Sequence, residues 1–383
     1  MSSFSLLSVI LLAALANAKP HPQGRHGAGH PHYSVQQPSV TSTLVQNGIY
    51  PITTPATSVL EVNNLPASAG VGSAASVSGG INTSPASVQS ANPQPSNTGD
   101  SSSPAGLPAG CFTINGIGVG WDSDDDPATL AKSISPTAGP CTYGHFAQMT
   151  SGTTMPDSDI QSGAAAAASA KAIYVISLKP GSVDFAQVST DAVAKSMSTL
   201  SSMMGGGEVW LRLAHEMNWY SQTGEYVGTS DSFKTMWQGV AGKVDRSKVK
   251  MYWCPNPPSS TGDTVATLNQ KWYPGDESVD VVGLDAYGQG TNPTFQDSVP
   301  DDFCSQYGDK MVHVGEAGWL GGGTDDQKAQ WLGQVSGTAA KQGCPNYAGF
   351  MWFEYDKAGT GDANGDYTVA SGSGSGIAAK VLG

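Results

Sequence analysis

Arginine is nearly missing from this chain: Arg25, Arg212 and Arg246 are the only three in 383 residues. Charged side chains are scarce altogether, at 13%, and 18 basic residues stand against 31 acidic ones for a net charge of −13. A surface that tracks phosphates needs clustered Lys and Arg. Nucleic acid is therefore excluded as the main partner, and so is adhesion to an anionic membrane. Long apolar runs are absent too. Leu6 to Leu15 is too brief to span a bilayer, and Ala16-Asn17-Ala18 follows it as a small-x-small cleavage pattern. Residues 1–18 read as a signal peptide, although no Lys or Arg precedes the apolar run. A secreted protein, extracellular or held in a cell wall, is expected.

Cysteine is sparse as well: Cys111, Cys141, Cys254, Cys304 and Cys344. An odd number leaves one unpaired in an oxidising compartment. Cys254 lies in the run Met251-Tyr252-Trp253-Cys254-Pro255, which reads as a buried strand, so it is the expected free thiol. Cys111 with Cys141 and Cys304 with Cys344 are then the expected disulfides. Spacing alone does not fix connectivity, and five reduced, buried cysteines remain the alternative.

What the chain has in excess is Gly and Pro, 48 and 24 residues, and much of that lies before residue 110 together with Ser, Thr and Ala. Lys19 and Arg25 cancel Glu61 and Asp100 there, so the acidic excess belongs to the remainder. Residues 19–109 cannot bury enough apolar surface to offset their ordering entropy and read as a disordered linker. Asn82-Thr83-Ser84 is an N-glycosylation acceptor. His21, His26, His30 and His32 have no neighbouring cysteine or carboxylate to fix a metal geometry, so they read as a solvated tail.

Residues 110–383 change texture. Short apolar runs recur at Phe112 to Val119, Tyr143 to Met149, Ala172 to Leu178, Glu208 to Leu213, Val249 to Trp253, Val279 to Leu284, Met311 to Val314 and Ala348 to Phe353. Their near-continuous apolar character marks strands buried on both faces. Helix candidates fall between them at Ser162 to Ala172, Ser189 to Met204, Ser230 to Val244 and Asp325 to Lys341, with Ser230 and Thr324 as caps. Strand–helix alternation of this extent predicts an α/β chain folded as a (β/α)8 TIM barrel. The competing doubly wound sheet wants a Gly-rich phosphate turn after its first strand, but Gly116 to Gly120 runs into Trp121-Asp122.

In such a barrel, function sits at the C-terminal strand ends. The fourth run ends Arg212-Leu213-Ala214-His215-Glu216-Met217-Asn218-Trp219-Tyr220, the sixth Gly283-Leu284-Asp285-Ala286-Tyr287, the seventh Gly315-Glu316-Ala317-Gly318-Trp319 and the eighth Trp352-Phe353-Glu354-Tyr355-Asp356. Glu216 and Glu316 would face each other across the barrel mouth. Retaining glycoside cleavage needs two carboxyl groups ~5–5.5 Å apart, one as nucleophile and one as acid then base. Trp219, Tyr220, Trp319 and Trp352 are candidate sugar platforms, with Asn218 as a polar contact and Trp121 and Trp272 as outer walls, because a pyranose has an apolar face that packs on rings. His313 lies inside its run and reads as structural.

Arg-x-x-His-Glu-Met-Asn followed by Trp-Tyr, from Arg212 to Tyr220, resembles the fourth-strand signature of glycoside hydrolase family 26, the β-mannanase family of the clan A barrels, here of a secreted fungal type. Gly315 to Gly318 is similar to that family's nucleophile site, and Gly283 to Tyr287 to its sixth-strand site. The resemblance implies Glu216 as acid/base, Glu316 as nucleophile, His215 and Tyr287 as supporting groups, and Arg212 as the cation that keeps Glu316 ionised. It implies a polysaccharide substrate such as β-mannan, no cofactor and a monomer. The sequence departs from the family where Trp219-Tyr220 directly follows Asn218, and around His145 and Lys179-Pro180, so the mechanism carries over better than the sugar specificity. A clan A β-1,3- or mixed-linkage glucanase or xylanase, or a non-catalytic glycan-binding wall protein, are the alternatives. Asp122 to Asp126 reads as a solvated loop. Asp362 to Asp366 has the look of a calcium-loop fragment but lacks the distal Glu, so it reads as a turn and no metal is expected.

Overall fold

The computed structural model describes residues 103–149, 158–359 and 365–383. The signal peptide, nearly all of the linker, the Asn82 acceptor, the histidine tract and residues 362–364 of the Asp362 to Asp366 segment lie outside the described residues.

Eight parallel strands close on themselves. The first, Ile117–Asp122, pairs with the second, Thr142–Gln148, on one side and with the eighth, Tyr347–Phe353, on the other. Between these run Ile173–Lys179, Val209–Leu213, Val249–Trp253, a sixth strand in two pieces, Val281–Val282 and Asp285–Gly288, and the seventh, Met311–Trp319, each parallel to its neighbour. Helices fill the crossovers, among them Ser158–Ala170, Thr190–Met203, Ser230–Ala241 and Asp325–Val335. The (β/α)8 expectation holds.

Several boundaries differ from those the sequence predicts, three of them for a clear local reason. The first apolar run is broken at Asn115 and Gly116, whose φ of 52° and 69° make an Asn-Gly turn. Thr113–Ile114 thus folds back antiparallel on Ile117–Gly118, and the barrel strand starts only at Ile117. Thr229, not Ser230, caps its helix, in a reciprocal capping box with Ser232. Asp325 to Lys341 is two helices, Asp325–Val335 and Thr338–Gly343, separated at Ser336 and Gly337. The Thr324 cap is present.

Because side chains alternate along a strand, each strand feeds two cores. Trp121, Tyr174, Leu211, Trp253 and Trp352 face the helices. Val175, Trp210, Tyr252, Cys254 and Met351 belong to a separate cluster inside the barrel, with Leu107 among them. Cys111–Cys141 and Cys304–Cys344 are bonded, and Cys254 is free and buried. Among the described residues no helix is long and apolar enough to cross a membrane.

The second bridge links the helix Asp301–Gln306 to the chain just ahead of the eighth strand, 40 positions away in sequence. Replacing Cys304 and Cys344 together with Ala should lower the unfolding free energy by ~2–4 kcal/mol through the freed unfolded chain. Equilibrium denaturation checks this, and an unchanged midpoint would contradict it.

Candidate active site

Arg212 lies on the fourth strand with its side chain fully buried inside the barrel. Its Nη1 donates to Glu316 Oε1 at 2.8 Å and to the Ser177 hydroxyl at 2.8 Å, and its Nη2 donates to Asp285 Oδ2. The Cys254 thiol donates to Asp285 Oδ1 at 3.2 Å. Asp285 and Glu316 are paired directly across the sixth and seventh strands. Gly315 leaves room for this cluster, because a Cβ there would lie 2.5 Å from Cys254 Sγ, 2.7 Å from Asp285 Oδ1 and 2.9 Å from Arg212 Nε. Glu316 Oε2 accepts from the Tyr287 hydroxyl at 2.8 Å. Burial first, and the Glu316 charge second, push the Tyr287 phenol well above its usual range, so it stays a donor.

Glu216, four residues beyond Arg212 and just ahead of the helix Met217–Thr223, sits in strained backbone. It has a left-handed φ of 51°, as does Ala214 at 49°, a conformation uncommon for residues with a Cβ. The strain is locked in place: Glu216 N–H donates to the Cys254 carbonyl at 2.9 Å, and its own carbonyl accepts from Trp219 and Tyr220 at the start of the helix Met217–Thr223. Asn256 Nδ2 donates to Glu216 Oε1. Asn218 holds Asn256 by a reciprocal pair, its amide donating to the Asn256 carbonyl and accepting from the Asn256 N–H, both at 2.9 Å. Burial pushes Glu216 up to about 7, helped by the negative charge of Glu316 and opposed by Arg212, the Asn256 hydrogen bond and Lys179. One carboxyl is thus clasped by a cation and a phenol while its neighbour is kept near its protonated form.

His215 Nε2 stands 3.8 Å from Glu316 Oε1. Burial, then the charges of Arg212 and Lys179, hold the imidazole well below its usual pKa, so it is neutral and this contact is not an ion pair. Its ring meets Phe146 and Tyr220 at centroid distances of 5.5 and 5.8 Å. Arg212, His215, Glu216, Tyr287 and Glu316 are therefore gathered at one barrel end.

The aromatic candidates separate. Trp219 is 38% exposed and Tyr220 is half-buried with the Lys179 ammonium 4.4 Å over its ring. Trp352 is fully buried on the helix-facing side, and its indole N–H donates to the Tyr367 carbonyl, so it offers no face to a sugar. Strand alternation puts Phe353, not Trp352, at the mouth, in a cluster with Tyr355, Tyr367, Phe146 and Tyr287. Trp319, Trp121 and Trp272 are also buried in the outer core. Asn218 is buried with both ends of its amide committed to Asn256, which makes it a support and not a substrate contact. His313 is an interior histidine whose carbonyl accepts the Tyr252 hydroxyl.

Two participants are not anticipated by the sequence. Asn256 follows the fifth strand in a Pro-rich loop with no recognisable signal. Asp122 belongs by sequence to the acidic run Asp122 to Asp126, expected to be solvated, but only Asp124, Asp125 and Asp126 are exposed. Asp122 ends the first strand pointing inward, where a Cβ on Gly144 would collide with its carboxylate. Among the described residues neither of its oxygens has a hydrogen-bond partner. Burial, then the Glu316 charge, raise its pKa well above the ordinary carboxylate value, with Arg212 opposing. The strand is buried on both faces, so no alternation in the sequence sets Asp122 apart from the acidic run. Among the described residues no group of three His, Cys, Asp or Glu could hold a metal ion.

The family model for glycosyl hydrolase family 26 matches residues 143–327. No curated protein matches the sequence. Similar solved structures include an endo-1,4-β-mannanase from Eisenia fetida, at 13% identity over 72% of this chain and 94% of that one with a TM-score of 0.42. A β-mannanase from a symbiotic protist of the termite Reticulitermes speratus is 15% identical over 70% of this chain and 86% of that one, TM-score 0.39. An endo-β-1,3-glucanase from Sorangium cellulosum is 15% identical over 69% and 98%, TM-score 0.41.

A reaction that draws a proton from Glu216 should lose rate as pH rises through about 7. Asn256→Ala removes a donor that favours the ionised form, so it should move that alkaline limb to higher pH. The pH profiles of kcat/KM for the two proteins test this, and a limb that stays or moves down would contradict it.

Proposed function

We propose that this chain, a glycoside hydrolase whose residues 143–327 match the glycosyl hydrolase family 26 model, is a secreted, retaining, endo-acting β-glycosidase of wall polysaccharide, with β-mannan the first candidate substrate. The observation that carries the mechanism is the unequal treatment of two neighbouring glutamates. Glu316 accepts from the Arg212 guanidinium and the Tyr287 hydroxyl, whereas Glu216 takes its hydrogen bond from the neutral Asn256 amide and is pushed up to about 7.

Glu316 attacks the anomeric carbon while Glu216 gives its proton to the leaving glycosidic oxygen. The resulting glycosyl ester is uncharged at Glu316. The second largest influence raising the Glu216 pKa is thereby removed, and Glu216 becomes the base that takes a proton from water for the second displacement. Tyr287 and Arg212 hold the carboxyl group in place through both steps, and neutral His215 packs beside it without competing for its charge. Trp219 and Tyr220, on the helix that Glu216 opens, provide an aromatic floor on the leaving-group side. Two disulfides and the signal-peptide pattern of residues 1–18 support secretion. The substrate stands on the Arg212 to Tyr220 resemblance.

Glu316→Ala should cut turnover on the order of 10³-fold or more while the fold is kept. A panel of β-mannan, β-1,3-glucan, mixed-linkage glucan and xylan, scored for new reducing ends, names the substrate. Near-parental hydrolysis by the variant would remove Glu316 from the nucleophile role. Tight binding by the parent with no cleavage of any glycan would favour a binding protein, and initial release of the inverted anomer would exclude double displacement.

A further inference from the structure

Tyr287 reaches Glu316 only if its ring is held, and the wall behind that ring comes from the far end of the chain. Tyr367 is 2% exposed and meets the Tyr287 ring edge-on at 6.0 Å and Phe353 at 5.2 Å. Both tyrosine rings lie against Gly318, two residues past Glu316: a Cβ there would sit 2.8 Å from Tyr287 Cε1 and 3.2 Å from Tyr367 Cδ1. The Tyr367 hydroxyl accepts from Gly321 N–H at 3.2 Å, which ties the same ring to the loop leaving the seventh strand. Tyr367 thus touches the nucleophile's strand, the loop after it and the phenol that binds its carboxylate.

The segment around Tyr367 is held by an unusual number of buried polar groups. The Glu354 carboxylate, 2% exposed, accepts from the backbone N–H of Val369, Ala370 and Ser371 and from the Ser371 hydroxyl. The Lys328 ammonium, on a residue 1% exposed, donates to the Thr368 carbonyl at 2.8 Å and the Asp366 carbonyl at 3.3 Å. The Trp352 indole donates to the Tyr367 carbonyl itself at 2.8 Å. Burying charged groups is costly, and here Glu354 is directed at the backbone N–H groups of this short segment, while Lys328 bonds two of its carbonyls and also lies 3.5 Å from the Asp366 carboxylate and 3.7 Å from that of Asp325.

We propose that Tyr367 is a positioning residue for the nucleophile: it sets the Tyr287 phenol against Glu316, and Glu354 and Lys328 fix Tyr367 for that purpose. The inference rests on Glu316 being the nucleophile. Because Tyr367 acts through Tyr287, its contribution exists only while the Tyr287 hydroxyl is present.

A double-mutant cycle on the full chain reads this directly. Tyr367→Leu should lower kcat about tenfold or more in the parent with KM within about twofold, and less than about twofold in a Tyr287→Phe background. Tyr367→Phe, which keeps the ring, should restore most of the rate. Equal losses in the two backgrounds, or no loss in the parent, would overturn the proposal. If Tyr367→Leu does not fold, Glu354→Gln takes its place under the same criteria. A crystal structure of the variant gives a readout independent of turnover. A Tyr287–Glu316 contact opened beyond about 3.5 Å supports the proposal, and one retained at hydrogen-bond length overturns it, even should the parent hydrolyse no glycan.

Discussion

The mouth of this barrel depends on one guanidinium. Arg212 is enclosed among Asp285, Glu316 and Ser177, and four buried carboxyl groups lie in its surroundings: Asp122, Glu216, Asp285 and Glu316. One cation cannot compensate four anions in a medium that screens charge poorly. Burial and the negative charge of Glu316 therefore push Asp122, Glu216 and Asp285 above the ordinary carboxylate value, and Arg212 opposes the rise at each of them.

Glycines and strained backbone give the cluster its tight geometry. Gly315 and Gly318 flank Glu316, the first because Cys254, Asp285 and Arg212 occupy the space of its side chain, the second because two tyrosine rings do. The Gly-Glu-x-Gly motif therefore has a steric meaning on both sides of the glutamate. On the fourth strand the opposite device operates, with Ala214 and Glu216 forced to positive φ so that the chain turns from strand to helix within three residues. Strain of this kind persists only where surrounding bonds over-determine it, and the Cys254 carbonyl and Asn256 amide supply them.

The barrel is legible in the sequence because its strands are short, apolar and regularly spaced, and the core of the site because its residues stand in contiguous motifs at strand ends. Alternation phase is not legible. A strand buried on both faces shows no polar face to mark which residues point inward. Trp352 and Phe353 are thus interchangeable by sequence, and Asp122 passes for part of a solvated run. Groups that join the site through tertiary packing alone are also hidden. Asn256 depends on how a Pro-rich loop meets the helix after Glu216, and Tyr367 on a segment that returns to the barrel from beyond its last strand.

The sharing of charge around Arg212 is most directly tested by carboxyl 13C NMR of the folded chain labelled at glutamate, followed through a pH titration. The Glu216 resonance should titrate near pH 7. Titration close to pH 4.5, the ordinary value for a glutamate, would mean that burial and the Glu316 charge do not hold Glu216 up against Arg212 as described.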